Sequence, residues 1–285
     1  MKLFSPAKVN LFLNVLRKRR DGYHEIETLF ERLSFGDTLV LRPALRGIRL
    51  KTVGEPVSSG PGNLVYRAAT LLKDSCGVRQ GVRMTLHKRV PVSAGLGGGS
   101  SNAAAALLGL NRLWKLGLSR RELMRLGARL GSDVPFFILE SPLALARGRG
   151  ERLKKLSSPR KKIWHVLVKP PFGISTREAY RGLKPPFLTL PKADVRMLLH
   201  SIQKGDAGTL AKLLTNSLEL SLNKRVTTIL KIKNRLLEEG AAGALLSGSG
   251  SAVFGVFLSK PEAQRAAARL RKTHRAWKVF VASTY

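Results

Sequence analysis

The residues Pro91, Val92, Ser93, Ala94, Gly95, Leu96, Gly97, Gly98, Gly99, Ser100, Ser101 and Asn102 are followed by four alanines and two leucines. Four glycines within five positions let the backbone bend tightly or approach a ligand closely. Ser100, Ser101 and Asn102 are N-cap types, and the Ala-rich run is strongly helix-forming. A glycine loop therefore opens onto a helix start. Free N–H groups and the positive end of the helix dipole there make an anion site, best suited to phosphate. The loop lacks the Gly-Lys-Ser/Thr ending of a P-loop. Its glycines do not space as G-x-G-x-x-G either, and no strand ends in an acidic residue about 20 positions on.

Other groups could do chemistry with a bound phosphate. Lys8 and Asn10 sit in a period-two pattern, opposite Ala7, Val9, Leu11, Leu13 and Val15, so a core strand could present both to a cleft. Tyr23 and His24 follow Gly22; such a pair can stack on a flat ring and hydrogen-bond to it. Asp133 lies between Gly131 and Pro135-Phe-Phe137, a partly apolar setting that can tune a carboxylate for proton transfer.

The elements that position these groups follow from pattern. Val82–Leu86 alternates as a strand before the loop. Ile26–Phe30 continues as strand or loop, Thr38–Leu41 is a further strand, and 42–62 is rich in turn residues. Asn63 caps a helix through Leu72, and Ser119-Arg-Arg-Glu122 is a capping box whose helix ends at Gly131. Residues 154–162 read as a linker, giving domains 1–155 and 163–285. Beyond it come a strand at Ile163–Val168, a helix carrying Tyr180, and helical patterns near 193–203, 206–214 and 223–238. The stretch Ser247-Gly-Ser-Gly-Ser251 lies between two strands, before a helix over 261–272 and a strand at Lys278–Ala282. This alternation predicts an α+β sandwich in the second half.

Composition narrows the class. The chain has 285 residues and 44% hydrophobic content, enough for a sizeable core. Cys76 is the single cysteine, which excludes an internal disulfide framework and fits a reducing, cytoplasmic setting. Lys8, Asn10 and Asn14 break up the N-terminal apolar stretch, so no signal peptide is expected. No membrane span is expected, because no run of about 20 apolar residues occurs. The net charge is +33. Such a field attracts polyanions, but the basic residues are spread along the chain and aromatics make up only 6%. A dedicated nucleic-acid partner is therefore not expected.

Together, Pro6-Ala-Lys8-Val-Asn10-Leu-Phe-Leu13, the Pro91–Ala104 loop and Ser247–Ser251 resemble the three ordered motifs of the GHMP kinase superfamily. Asp21-Gly-Tyr-His-Glu25, Leu130-Gly-Ser-Asp133-Val-Pro-Phe-Phe137 and Gly173-Ile-Ser-Thr176 narrow the resemblance. They are similar to the members that act on a cytidine-diphosphate-linked methylerythritol in non-mevalonate isoprenoid biosynthesis. The resemblance spans about residues 4 to 258. It implies an α+β, two-domain GHMP kinase fold, with an N-terminal phosphate-loop domain and a C-terminal ferredoxin-like α/β sandwich. It also implies ATP-dependent phosphorylation of the 2-hydroxyl, with Mg2+, by a monomer or homodimer.

By resemblance, Asp133 takes the hydroxyl proton and Lys8 is its partner. Gly95 to Ser101 hold the ATP phosphates, and Asn63 and Asn102 lie near the adenosine. Asn10 and Thr176 contact the acceptor, and Tyr23, His24 and Tyr180 bind the cytosine. Ser101 is the candidate magnesium ligand. Ser141-Pro-Leu143 and Asn216-Ser-Leu-Glu219 depart from the family pattern, which has a glycine-rich turn and an aspartate there, and the charge is higher than usual. Two alternatives share part of this pattern. One is a GHMP kinase of homoserine or mevalonate type; the other is a basic nucleic-acid-binding protein on a kinase fold.

Overall fold

The computed structural model describes residues 1–159, 161–183, 195–222 and 225–285. The sequence expectations at 160, 193–194 and 223–224 lie outside the described residues. The fold is α+β, in two compact units that interleave along the chain. The first comprises Met1–Ala7, Gly36–Val92 and Gly97–Ser141; the second comprises Lys8–Phe35, Ser93–Leu96 and Pro142–Tyr285. This division differs from a boundary at 156–162, because β1 (Lys2–Lys18) and β2 (His24–Ala44) each contribute residues to both units.

In the first unit, β4 (Gly81–Lys88) runs parallel to β3 (Ile48–Gly54) and antiparallel to Thr38–Ala44 of β2. Its helices are α1 (Leu64–Cys76), α2 (Gly98–Leu113), α3 (Arg120–Leu130) and α4 (Val134–Leu139). Asn63 caps α1 by accepting from Val65 N, and Ser119 with Glu122 forms the expected capping box of α3. The start of α2 differs from expectation. The helix begins at Gly98, and its N-cap is Gly97 at φ +67°, with no capping side chain. Ser100 and Ser101 thus belong to the first turn, with Asn102 just after it. Glycine makes the left-handed turn unaided, which frees their side chains for other bonds.

Residues 26–30 and 38–41 also differ from expectation, being parts of the single strand β2. Gly36 lies between them, and a Cβ on it would lie 2.3 Å from Ser5 O. Here glycine marks close backbone approach within a strand. The turn-rich region 42–62 contains β3.

In the second unit, β1 pairs with β2 and, in parallel over Phe12–Leu13, with β8 (Thr215–Asn216). β5 (Leu143–Gly148) lies antiparallel between Ile26–Glu31 of β2 and β6 (Arg152–Leu156). The expected linker therefore begins as strand. A separate antiparallel sheet uses β7 (Trp164–Lys169), β9 (Gly243–Leu246), β10 (Val253–Phe257) and β11 (Lys278–Ser283), ordered β11-β7-β10-β9. Helices α8 (Val226–Glu238) and α9 (Lys260–Thr273) pack on it, and α5 (Thr176–Arg181), α6 (Val195–Lys204) and α7 (Ala207–Leu213) lie before α8. This is the βαββαβ ferredoxin-like arrangement. Its core joins Val166, Val168, Ile232, Leu236, Phe257 and Leu270.

A buried carboxylate ties the first unit together around the loop. Asp37 is fully buried and accepts from Lys88 Nζ at 2.6 Å, Arg89 N at 2.6 Å, Val90 N at 2.8 Å and Asn102 Nδ2 at 2.8 Å. Burial lowers the Lys88 pKa, and the Asp37 charge opposes that shift. Asp37→Ala strands a buried cation and three further donors, at a cost of about 3–5 kcal/mol. A chemical-denaturation midpoint close to wild type would show that this network contributes little to stability.

Candidate active site

Three separated sequence segments meet in the second unit. The first is β1. Lys8 is 4% exposed, and its Nζ donates to Asn10 Oδ1 at 2.7 Å and stands 5.2 Å over the Phe30 ring. Asn10 Nδ2 donates to Thr28 Oγ1 at 2.7 Å. Both side chains are buried, so the Lys8 amine sits among fixed partners. The stretch Ser5–Val15 is buried on both faces of the strand, not on one face as simple alternation suggests.

The second segment is Ser93–Leu96. Lys8 N donates to Leu96 O at 3.0 Å. The third is Ser247–Ser251. Ser247 Oγ donates to Gly95 O at 3.0 Å, and Ala252 N donates to Ala94 O at 3.0 Å. The approach is too close for any side chain at position 95: a Cβ there would lie 1.8 Å from Ser247 O, and φ is +74°. A Cβ on Gly248 would lie 3.2 Å from both Lys8 Nζ and Asn10 Oδ1. Glycine backbone therefore sits directly against the Lys8–Asn10 pair.

Two residues to which the sequence reading assigned no role clamp this third segment. Asn216 Nδ2 donates to Leu246 O at 2.9 Å and Gly248 O at 2.8 Å. Glu219 Oε1 accepts from Leu246 N at 2.9 Å, while its other oxygen accepts from Lys233 Nζ at 2.8 Å. The serine between them accepts from Val15 N at 3.1 Å, so Ser217 ties the turn to β1.

The aromatic group also belongs to this unit. Asp21 Oδ1 accepts from Tyr23 N at 3.1 Å and, with Glu25, binds Arg19, which shapes the turn between β1 and β2. His24 stacks on Tyr180 with ring centroids 5.0 Å apart and planes at 26°. Tyr180 packs against Leu13, Val15, Ile26 and Leu218. Ser175 caps α5, and Thr176 Oγ1 lies 3.2 Å from Ser249 Oγ. Thr176 and Tyr180 are four residues apart, so one face of α5 reaches both the His24 ring and the Ser247–Ser251 segment.

The first unit holds the rest of the candidate residues. Pro91 and Val92 precede the loop's crossing into the second unit, and Gly97 to Asn102 follow it. Ser101 N donates to Gly97 O, so the N–H groups of Gly98, Gly99 and Ser100 precede the first intrahelical bond, at the positive end of the helix. Ser101 and Asn102 point elsewhere. Ser5 Oγ donates to Ser101 Oγ at 2.8 Å, and Asn102 Nδ2 donates to Ser5 Oγ and Asp37.

Asn63 Nδ2 donates to Ser58 O, and a Cβ on Gly99 would touch Leu64, so the starts of α1 and α2 adjoin. Asp133 is half-buried at the start of α4, where its side chain makes no cap bond. A Cβ on the neighbouring Gly131 would lie 3.6 Å from Ser100 Oγ. The Asp133 turn is therefore beside the first turn of α2. Among the described residues, no group of three His, Cys, Asp or Glu side chains could hold a metal ion. Ser101, the candidate magnesium ligand, is buried, and its Oγ accepts from Ser5 Oγ.

Comparison with known proteins fits this geometry. The pattern described as GHMP kinases N terminal domain matches residues 63–141, and that described as GHMP kinases C terminal matches 198–276. A protein from Pelotomaculum thermopropionicum, named 4-diphosphocytidyl-2-C-methyl-D-erythritol kinase, is 49% identical over 94% of this chain and 92% of its own length. One of the same name from Moorella thermoacetica is 46% identical over 94% of each. The chain belongs to the 4-diphosphocytidyl-2-C-methyl-D-erythritol kinase family of GHMP kinases. A crystal structure of a 4-(cytidine 5'-diphospho)-2C-methyl-D-erythritol kinase superposes with a TM-score of 0.87 at 38% identity, covering 99% of this chain and 98% of that one. A homoserine kinase from Cytophaga hutchinsonii has a TM-score of 0.78 but only 20% identity, which shows a shared fold alone. As a kinase the chain uses ATP. No helix among the described residues is long and apolar enough to cross a membrane.

Burial, with the Lys18 charge behind it, lowers the His24 pKa from its ordinary value of 6.5. At neutral pH the ring then carries one donor and one acceptor nitrogen. An NMR titration of the His24 ring in free protein is expected to show a midpoint below 6.5. A midpoint at or above that value would overturn this assignment.

Proposed function

We propose that this chain transfers the γ-phosphoryl group of ATP to the 2-hydroxyl of 4-diphosphocytidyl-2-C-methyl-D-erythritol, releasing ADP and the 2-phosphate. The observation that carries this reading is the convergence of Lys8–Asn10, Ser93–Leu96 and Ser247–Ser251, beside a helix face that also reaches the His24–Tyr180 stack. It combines the parts of a phosphoryl-transfer centre with an aromatic group suited to a pyrimidine. The relatives named above are the second support.

Phosphoryl transfer asks the protein mainly for positioning and charge stabilisation. The amides of Gly98, Gly99 and Ser100 hold the ATP phosphates, and Pro91 to Leu96 form the rest of the loop. Asn63 and Asn102 support the adenosine side, Asn102 by fixing the start of α2. Lys8 supplies positive charge at the reacting centre, and its buried bond to Asn10 keeps the ammonium in place without rearrangement. Asn10 and Thr176 contact the acceptor. Tyr23 and Tyr180 stack on the cytosine, and His24 hydrogen-bonds to it. Magnesium arrives on the ATP phosphates as part of the nucleotide substrate. The enzyme works in the cytoplasm, as a monomer or homodimer.

The proton goes to Asp133. General-base help of this kind is worth roughly 10²–10⁴-fold. Asp133→Asn is expected to lose that much kcat while ATP affinity is kept, with turnover and nucleotide binding measured on the same preparation. Wild-type turnover would remove Asp133 from this role. Substrate class is tested by ADP release with the cytidine compound, homoserine, mevalonate and no acceptor. Turnover with the cytidine compound only is expected; turnover with homoserine or mevalonate instead would discard the cytosine site.

A further inference from the structure

Arg149 stands outside the motifs and outside the chemistry above. It occupies the turn between β5 and β6, between Gly148 at φ +77° and Gly150 at φ +108°. The turn is built around it: Glu151 Oε2 accepts from Arg149 N at 2.6 Å, and Gly150 N donates to Arg147 O at 3.2 Å. A Cβ on Gly148 would come within 3.0 Å of both Glu151 carboxylate oxygens, so glycine is required there for the carboxylate to close the turn. Gly148 pairs with Ile26 near the start of β2, which sets this turn beside the one bearing Tyr23. The Arg149 guanidinium then lies over the Tyr23 ring, 4.8 Å from its centroid.

Tyr23 is 54% exposed. An exposed tyrosine on a turn has rotamer freedom that ligand binding must remove. Here Asp21 fixes its backbone and a planar cation covers one ring face, which leaves the other face for a ligand. A guanidinium stacks on aromatic faces in this way, and its fork is stiffer than a lysine stem. We infer that Arg149 is a positioning residue for the base end of the acceptor: it backs the Tyr23 ring and presents the opposite face, preorganised, to the pyrimidine. This rests on the proposed cytosine site. It adds the cation on the far side of the ring, so that guanidinium, phenol and base form successive layers.

Calorimetric titration of cytidine, cytidine 5'-diphosphate and ATP into folded wild type, Arg149→Ala, Arg149→Lys, Tyr23→Leu and the Arg149→Ala/Tyr23→Leu double variant tests it. Arg149→Ala is expected to weaken cytidine and cytidine 5'-diphosphate alike, by roughly 2–5-fold, with ATP unchanged. Arg149→Lys should recover part of the loss, and in the Tyr23→Leu background Arg149→Ala should cost nothing more. Weakening of the diphosphate alone would mean a phosphate contact and overturn the ring-backing role. Equal loss in the Tyr23→Leu background, or no loss in either background, would overturn it as well. If wild type binds ATP but neither cytidine ligand, the cytosine site fails and this inference fails with it. If wild type binds both and Arg149→Ala is unchanged, only the inference fails.

Discussion

One buried carboxylate sets the terms for the loop. Asp37 collects a lysine side chain and two backbone amides from the end of β4, and an asparagine from just after the first turn of α2. These donors lie on both sides of the glycine-rich span, so a single side chain fixes where that span leaves and where it re-enters regular structure. A charge buried this deeply is tolerable only when every neighbour donates to it, and each of those donors is constrained in turn. The glycines can therefore stay conformationally permissive without becoming loose. Between its fixed ends the loop packs backbone against backbone, as Gly95 does on Ser247.

Much of the architecture could be read from sequence, for reasons visible in particular residues. Helices with strong caps were legible because the signal is chemical and local: Asn63 before α1, and Ser119 with Glu122 at α3. The loop and the second Gly-Ser segment announced themselves by composition. The β-structure was less legible. Ser5–Val15 is buried throughout, so alternation carries no information about facing. Residues 26–30 and 38–41 read as separate segments, but Gly36 between them serves a close strand contact and β2 runs through it. The start of α2 was placed late because Gly97 caps by backbone conformation alone, which leaves no side-chain signature. Asp37, Asn216 and Glu219 act through pairings distant in sequence, and only their scarcity in a basic chain could have flagged the acids.

That scarcity shapes the surface too. With 51 basic and 18 acidic residues, the acids are largely committed to pairs. Glu25 serves Arg19 and Arg152, Glu219 serves Lys233, Glu178 serves Arg225 and Glu239 serves Arg269. The surplus cations repel one another across the surface, and added salt screens that repulsion within about 10 Å at 0.1 M. The same field draws in phosphorylated small molecules, so the charge aids the encounter with ATP and a diphosphate acceptor while working against compactness.

Helix α5 carries a consequence of its own. Thr176 and Tyr180 are separated by a little over one helical turn, about 6 Å of rise. One residue touches Ser249 and the other carries the His24 stack. Those two contacts are held apart by main-chain hydrogen bonds, not by flexible side chains. The helix is thus a gauge of fixed length. A ligand engaging both marks is selected for its span as well as for its groups, and the calibration belongs to the helical backbone rather than to either side chain.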